Sequence, residues 1–270
     1  MTNPWIAALL ALFVWWFSTG AILWAVRHAD RRGPRARYLC AFAALPVLML
    51  GFWGFWATAN DTSLVGSYGA FFAALAIWGW IELSFLTGTI TGPNSFDCPA
   101  GLTAWPRFLR AWGTVAYHEV LLGVVLVALW ALASGSAQEV GLWTFTILFL
   151  ARISAKLNLF LGVPRINVEF LPDALAHLAS HFRRSRLNWM FPASVSTLTF
   201  ATALWVEQLV FAATPADAVG FALIAAITAL ALLEHWLMVL PLPDAKLWRW
   251  MLPAPKRPSQ TARPEGPHGF

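Results

Sequence analysis

Read along its length, the chain alternates long apolar runs with short polar breaks. Seven runs stand out, at roughly 5–26, 38–58, 65–86, 108–132, 140–161, 191–213 and 219–240. A helix rises about 1.5 Å per residue and the bilayer hydrocarbon core is ~30 Å thick, so about twenty apolar residues suffice to cross it. The pattern predicts an all-α, polytopic transmembrane helical bundle of about seven spans occupying residues 1–241. A basic, Pro-rich tail over 242–270 follows, and is expected to be partly disordered.

One polar interruption is much longer than the rest. It begins within the fifth run, at Arg152, Lys156 and Asn158, and leaves through Gly162-Val163-Pro164-Arg165. Asn167 and Glu169 follow, then an amphipathic segment with Leu171, Leu175, Leu178 and Phe182 on one helical face. Asp173, His177, His181 and Arg184 fall on the other face. Pro172 suits a first helical turn, and Arg183, Arg184 and Arg186 suit a last one. The expectation is an interfacial helix within a cytoplasmic loop at 162–190. His177 and His181, four apart, either share a metal or form the wet face of that helix.

The charges set an orientation. Lys and Arg occur after run one, between runs three and four, from the end of run five, and after run seven. The opposite breaks hold only Asp61, Glu139 and Asp217. Loops rich in Lys and Arg stay cytoplasmic, so the N-terminus is expected in the periplasm and the C-terminus in the cytoplasm. The N-terminus lacks a basic region ahead of its first apolar run, which argues for a retained span.

Composition agrees with this reading. Hydrophobic residues make up 59%, charged residues 11%, and mean hydropathy is +0.63. Soluble domains carry about 25% charged residues. The net charge of +5 is accounted for by cytoplasmic loops, and no basic, aromatic-interleaved domain exists to bind nucleic acid. Two cysteines, Cys40 and Cys98, make neither a disulfide framework nor a metal motif. No dinucleotide fingerprint or phosphate-binding loop is present.

The candidate chemistry lies inside the runs. A charge in hydrocarbon costs at least ~2.5–3.5 kcal/mol on insertion scales, so each needs a reason. Glu82, His118, Glu119, Arg152, Lys156, Glu234 and His235 all map to the cytoplasmic half, whereas Glu207 sits nearer the outer surface. One reading is a polar pocket open to the cytoplasm, holding a metal, a tetrapyrrole or a polar substrate. His118, Glu119, Glu234 and His235 are its candidate metal ligands, since imidazole with carboxylate suits iron, manganese or zinc. Against it, the His-Glu pairs are adjacent, and adjacent residues point ~100° apart on a helix. The other reading is internal ion pairing, with Arg152 and Lys156 neutralising two of Glu82, Glu119 and Glu234. The Gly-Pro breaks at Gly92-Pro93 and Gly162-Val163-Pro164 either form a lid or simply end helices.

The run ARISAKLNLFLGVPRINVEFLPDALAHLASHF, the upstream TGTITGPNSFDCPAG, the AYHE of run four and the EHW of run seven together resemble the PuhE family of photosynthetic complex assembly proteins. The resemblance covers the third run to the seventh. It implies an integral protein of the bacterial inner (intracytoplasmic) membrane that supports bacteriochlorophyll supply or reaction-centre and antenna assembly. Its partners would be the bilayer, reaction-centre or antenna subunits, or pigment-synthesis enzymes. Bacteriochlorophyll or a precursor, or iron, are the candidate cofactors. It supplies no catalytic residues. Two alternatives stay open: a di-iron-like membrane oxidoreductase acting on a tetrapyrrole or other lipid-soluble substrate, and a transporter of a small molecule or pigment.

Overall fold

A computed structural model describes residues 2–242. The described chain is helical, with no strand and a single isolated bridge between Val163 and Arg184. Eight α-helices run in order: α1 (Pro4–Asp30), α2 (Pro34–Ala43), α3 (Leu45–Ala57), α4 (Leu64–Leu86), α5 (Ala104–Ala133), α6 (Val140–Leu161), α7 (Met190–Val210) and α8 (Pro215–Leu237). The tail expected over 242–270 lies, apart from Leu242, outside the described residues.

The helix starts follow local chemistry. Asn3 Oδ1 accepts from the Trp5 N–H at 2.9 Å, with Pro4 in the first turn. Ser63 Oγ accepts from Gly66 N, and Thr214 Oγ1 from Asp217 N, doing the same for α4 and α8. The second run is one span broken in two. Ala44 separates α2 from α3 two residues before Pro46, whose missing N–H and ring interrupt the hydrogen-bond ladder. Arg37 on α2 pairs with Asp30 at the end of α1 at 2.6 Å, fixing that corner.

Among the described residues, six spans are long and apolar enough to cross a membrane: α1, α2 with α3, α4, α5, α6 and α8. The protein is therefore read as a multi-pass membrane protein. The run expected as a span over 191–213 forms α7, a 21-residue helix that packs along α8 but is not among those six. Ser194, Ser196, Thr197, Thr199, Thr202, Glu207 and Gln208 make it more polar than the other six.

α4 and α8 form the centre. More than half of each apolar window is buried, 56% and 61%, against at most 28% for the other four candidate spans. α3 packs on α4, α1 and α7 on α8, and α6 lies against both, with α5 on its other side. One core cluster joins Ala7, Phe71, Ile147, Leu223 and Ile227 from α1, α4, α6 and α8. A second joins Phe55, Ile77, Leu122, Leu129 and Phe145 from α3 to α6. The exposed apolar side chains of α1, α3 and α5, such as Trp24, Trp53 and Val124, suit contact with lipid.

The expected interfacial α-helix is not formed. Residues 168–170 and Asp173–His181 are 3₁₀ turns. A 3₁₀ helix repeats every third residue, and the buried positions follow that repeat: Pro172, Leu175, Leu178 and His181. These face inward onto Phe85 and Leu86 of α4 and Val115 of α5. The segment is thus a seated plug against the bundle rather than a rod along its surface.

Candidate functional site

The C-terminal half of α6 organises the polar interior. Arg152 and Lys156, four apart, share one face, and Ser154 and Asn158 share another about 200° away. The first stripe is cationic and meets α4 and α5. The second is neutral and meets α7 and α8.

On the cationic face, Arg152 Nη2 donates to Glu82 Oε2 at 2.8 Å. Lys156 Nζ donates to Glu119 Oε1. Each bridge joins different helices, α6 to α4 and α6 to α5. Glu82 and Glu119 are both 8% exposed, so the expected pairing of buried cations with two of the three carboxylates is found. His118 sits beside them, wholly buried, with Nε2 3.9 Å from Glu82 Oε1. Neither ring nitrogen has a hydrogen-bond partner, and Ser84 Oγ nearby on α4 also has none. Phe85 closes the cluster on the side of the plug. Its ring lies 4.3 Å from that of His118 and 5.1 Å from Lys156 Nζ, and Leu175 and Leu178 of the plug cover it. The arrangement is an ion-pair cluster whose carboxylates and imidazole are buried, while the Arg152 and Lys156 side chains keep 36% and 22% of their surface accessible.

The loop before α5 fixes His118. The His118 N–H donates to the Thr91 carbonyl at 3.0 Å, Asn94 N donates to the Gly113 carbonyl, and Asn94 Nδ2 to the Arg110 carbonyl. This requires Gly92, where an added Cβ would lie 2.1 Å from the Gly113 oxygen. The TITGPN stretch is therefore a segment laid against the backbone of α5, beyond merely ending α4.

On the neutral face, Ser154 Oγ and His235 Nε2 are 2.9 Å apart, while His235 Nδ1 lies 2.8 Å from the Ala231 carbonyl. Asn158 is fully buried and donates to Ser194 Oγ and the Ser154 carbonyl. Asn188 donates to Asn158 Oδ1 at 3.0 Å and to the Gly162 carbonyl at 2.8 Å. Its own Oδ1 accepts from the N–H groups of Met190 and Phe191, which start α7. Gly162, at φ +125°, ends α6 in a conformation closed to other residues.

Glu234 stands at an exposed position of α8, where its carboxylate accepts from Trp15 Nε1 of α1 at 3.1 Å, within electrostatic reach of Arg152 and Glu82. With Glu119 on Lys156, both His235 nitrogens engaged and Glu234 bound to Trp15, the four residues expected as metal ligands do not converge. No group of three or more His, Cys, Asp or Glu placed to hold a metal occurs among the described residues.

The cap residues separate similarly. Arg165 binds the backbone beyond α8, its N–H reaching the Met238 carbonyl and its Nη2 the Leu242 carbonyl. Asn167 is engaged at the edge of the plug. Glu169, with Arg27, Asp30, Arg31 and Asp173, lines a cavity of about 240 Å³ between α1 and the plug, and Arg27 donates to its carbonyl. His181 is buried and His177 half-buried, because the 3₁₀ turn puts them on different faces; the wet-face and shared-metal expectations both rest on an α-helix that does not form. Burial pushes both imidazoles below the usual histidine range. Asp97 partly offsets this for His177, and Arg110 and Arg107 reinforce it for His181.

Sequence reasoning missed Arg107, Asn188, Ser154 and Trp15. Arg107 donates to the Phe160 and His181 carbonyls and sits 4.1 Å over the Phe160 ring, tying α5, α6 and the plug together. Only Ser154 had a readable signal, its four-residue spacing to Asn158.

A family profile described as "Protein of unknown function (DUF3623)" matches residues 1–259. The chain belongs to that family. It is 52% identical over 261 residues, 97% of this chain and 95% of the other, to a Rhodobacter capsulatus protein described as "Uncharacterized 30.4 kDa protein in puhA 5'region". No solved structure matches. Neither description carries the name PuhE; the relative's description places it in the puhA 5' region.

Proposed function

We propose that this protein is a membrane-embedded assembly factor of the photosynthetic apparatus, supporting bacteriochlorophyll supply or the building of reaction-centre and antenna complexes. Its place is the bacterial inner membrane, with the N-terminus in the periplasm and the C-terminus in the cytoplasm. The observation that carries this reading is the near-full-length relative located beside puhA, in a photosynthesis gene cluster. Extensive identity over almost the whole of both chains favours a shared role.

The interior supports a scaffold within that reading. Two carboxylates are each matched by a cation from α6, and the enclosing helices are locked by Asn158, Asn188 and Arg107. Matched charges of this kind hold helices in register.

The test is deletion of the gene in its phototrophic host, with complementation. Absorption spectra and native gels of the membranes should show reduced reaction-centre or antenna bands, restored by the wild-type gene. Unchanged complexes in the deletion strain would defeat the proposal. Metal analysis and a visible spectrum of the detergent-purified protein separate the routes. Bound pigment favours bacteriochlorophyll supply, and stoichiometric iron would favour the oxidoreductase over the scaffold.

A further inference from the structure

A cavity of about 380 Å³ lies at the opposite end of the bundle from the ion-pair cluster, where the starts of α6 and α8 meet the last turns of α7. Its volume falls within the ~300–1,000 Å³ of small-molecule sites. Three aromatic rings wall it. Trp143 of α6 and Trp205 of α7 meet edge to face at 5.3 Å, and Trp205 stacks on Phe221 of α8 at 6.3 Å. Two carboxylates, Glu139 and Asp217, are its charged lining residues; no Lys or Arg lines it.

The charge balance at this end is negative. α4, α6 and α8 all start here, and each N-terminus carries roughly half a positive charge. A carboxylate stands at each: Asp61 accepts from the Ser63 N–H just ahead of α4, Glu139 immediately precedes α6, and Asp217 lies in the first turn of α8. Glu139 Oε2 accepts from Trp143 Nε1 at 3.1 Å, holding carboxylate and indole side by side at the mouth. Asp217 is held by Thr214 at 2.8 Å. The loops at this end contain no Lys or Arg to cancel the sum.

Electron-rich ring faces beside carboxylates, in a cavity without a cation, form the recognition chemistry of a substituted ammonium group. The geometry points to a binding site for an organic ammonium cation, supplied either as a free amine or as the headgroup of a choline or ethanolamine phospholipid. Such a group fits both halves of the wall: methyl or methylene carbons against the indoles, and charge toward Glu139 and Asp217. The site is separate from the buried cluster and does not depend on the assembly role.

The experiment uses the full chain in nanodiscs of phosphatidylglycerol, with radiolabelled choline measured by equilibrium dialysis against its neutral isostere 3,3-dimethyl-1-butanol. Glu139→Gln keeps an acceptor for Trp143, and Glu139 makes no side-chain cap. Trp205→Leu removes the ring that contacts both others. Saturable choline binding, weakened about three- to thirtyfold by either substitution, supports the free-amine source. In a parallel arm, protein extracted from membranes of mixed lipid is analysed by native mass spectrometry. Retention of phosphatidylcholine over phosphatidylglycerol, lost in either variant, supports the headgroup source. Absence of both effects, equal binding of the neutral isostere, or binding unchanged in both variants overturns the proposal.

Discussion

Arg152 of α6 and Glu82 of α4, 70 residues apart in sequence, meet at 2.8 Å inside the bundle. The neighbouring Lys156–Glu119 bridge leaves less side chain accessible, 22% and 6% against 36% and 10%. Removing one partner of a buried pair leaves the other uncompensated, at about 3–5 kcal/mol. Lys156→Met should therefore lower stability by about that amount, and Arg152→Leu by less. Combining Lys156→Met with Glu119→Gln should recover much of the loss, because no stranded charge remains. Thermal unfolding of the detergent-purified variants checks the order. A double variant less stable than Lys156→Met alone would show that the pair is held for its net attraction.

Asn188 performs two tasks that substitution can separate. Its carbonyl oxygen caps α7, and its amide nitrogen grips Asn158 and Gly162 on α6. Asn188→Asp keeps the cap and loses the grip; Asn188→Ala loses both. A lost cap costs about 0.5–2 kcal/mol, and each buried acceptor left unpaired adds about 1–3. The aspartate variant should fall between alanine and wild type in melting temperature. Equal melting of the two variants would mean that the cap contributes nothing.

Much of the helix layout was readable in the sequence. α6 spans Val140–Leu161, as expected from its apolar run, and α4 begins one residue from the expected start. The charge partners were readable as a set, because a charge in hydrocarbon requires a partner. The contact of Glu234 with Trp15 was not. Lipid and protein core are both apolar, so a membrane helix loses the polar face that orients a soluble one. The plug was misread for a different reason. Leu171, Leu175, Leu178 and Phe182 fit the 3.6 repeat, while Pro172, Leu175, Leu178 and His181 fit the 3.0 repeat; the 3₁₀ backbone buries the second set, and Leu171 and Phe182 stay half-buried against the Phe85 cluster.

The two repeats predict different accessibility. With Cys40 and Cys98 replaced by serine, single cysteines introduced over 172–181 can be labelled by a membrane-impermeant maleimide in inverted vesicles. Positions 173, 176, 179 and 180 should react, and 175, 178 and 181 should be protected. Protection at 171, 175, 178 and 182 with labelling at 181 would restore the α-helical reading. Leu175→Ala should also destabilise by about 2–5 kcal/mol, since Leu175 is fully buried.

His181 makes the plug sensitive to acid. It is 3% exposed, its Nε2 has no partner, and Nδ1 lies 3.2 Å from both the His177 carbonyl and Ser180 Oγ. Burial holds its pKa below the unfolded value of 6.5; the hydrogen bond to the His177 carbonyl offsets part of this, and the charges of His177, Arg110 and Arg107 lower it further. Because the unfolded chain takes up the proton first, the associated stability is fully present above pH 6.5 and is lost as pH falls below it. His177 is shifted the same way and adds to the slope. Melting temperature should therefore decline on acidification from pH 7 to 5, and less steeply in His181→Phe, which keeps an aromatic ring at the buried position without the titrating group. An identical slope in that variant would assign the acid sensitivity to the remaining groups, His177 first among them.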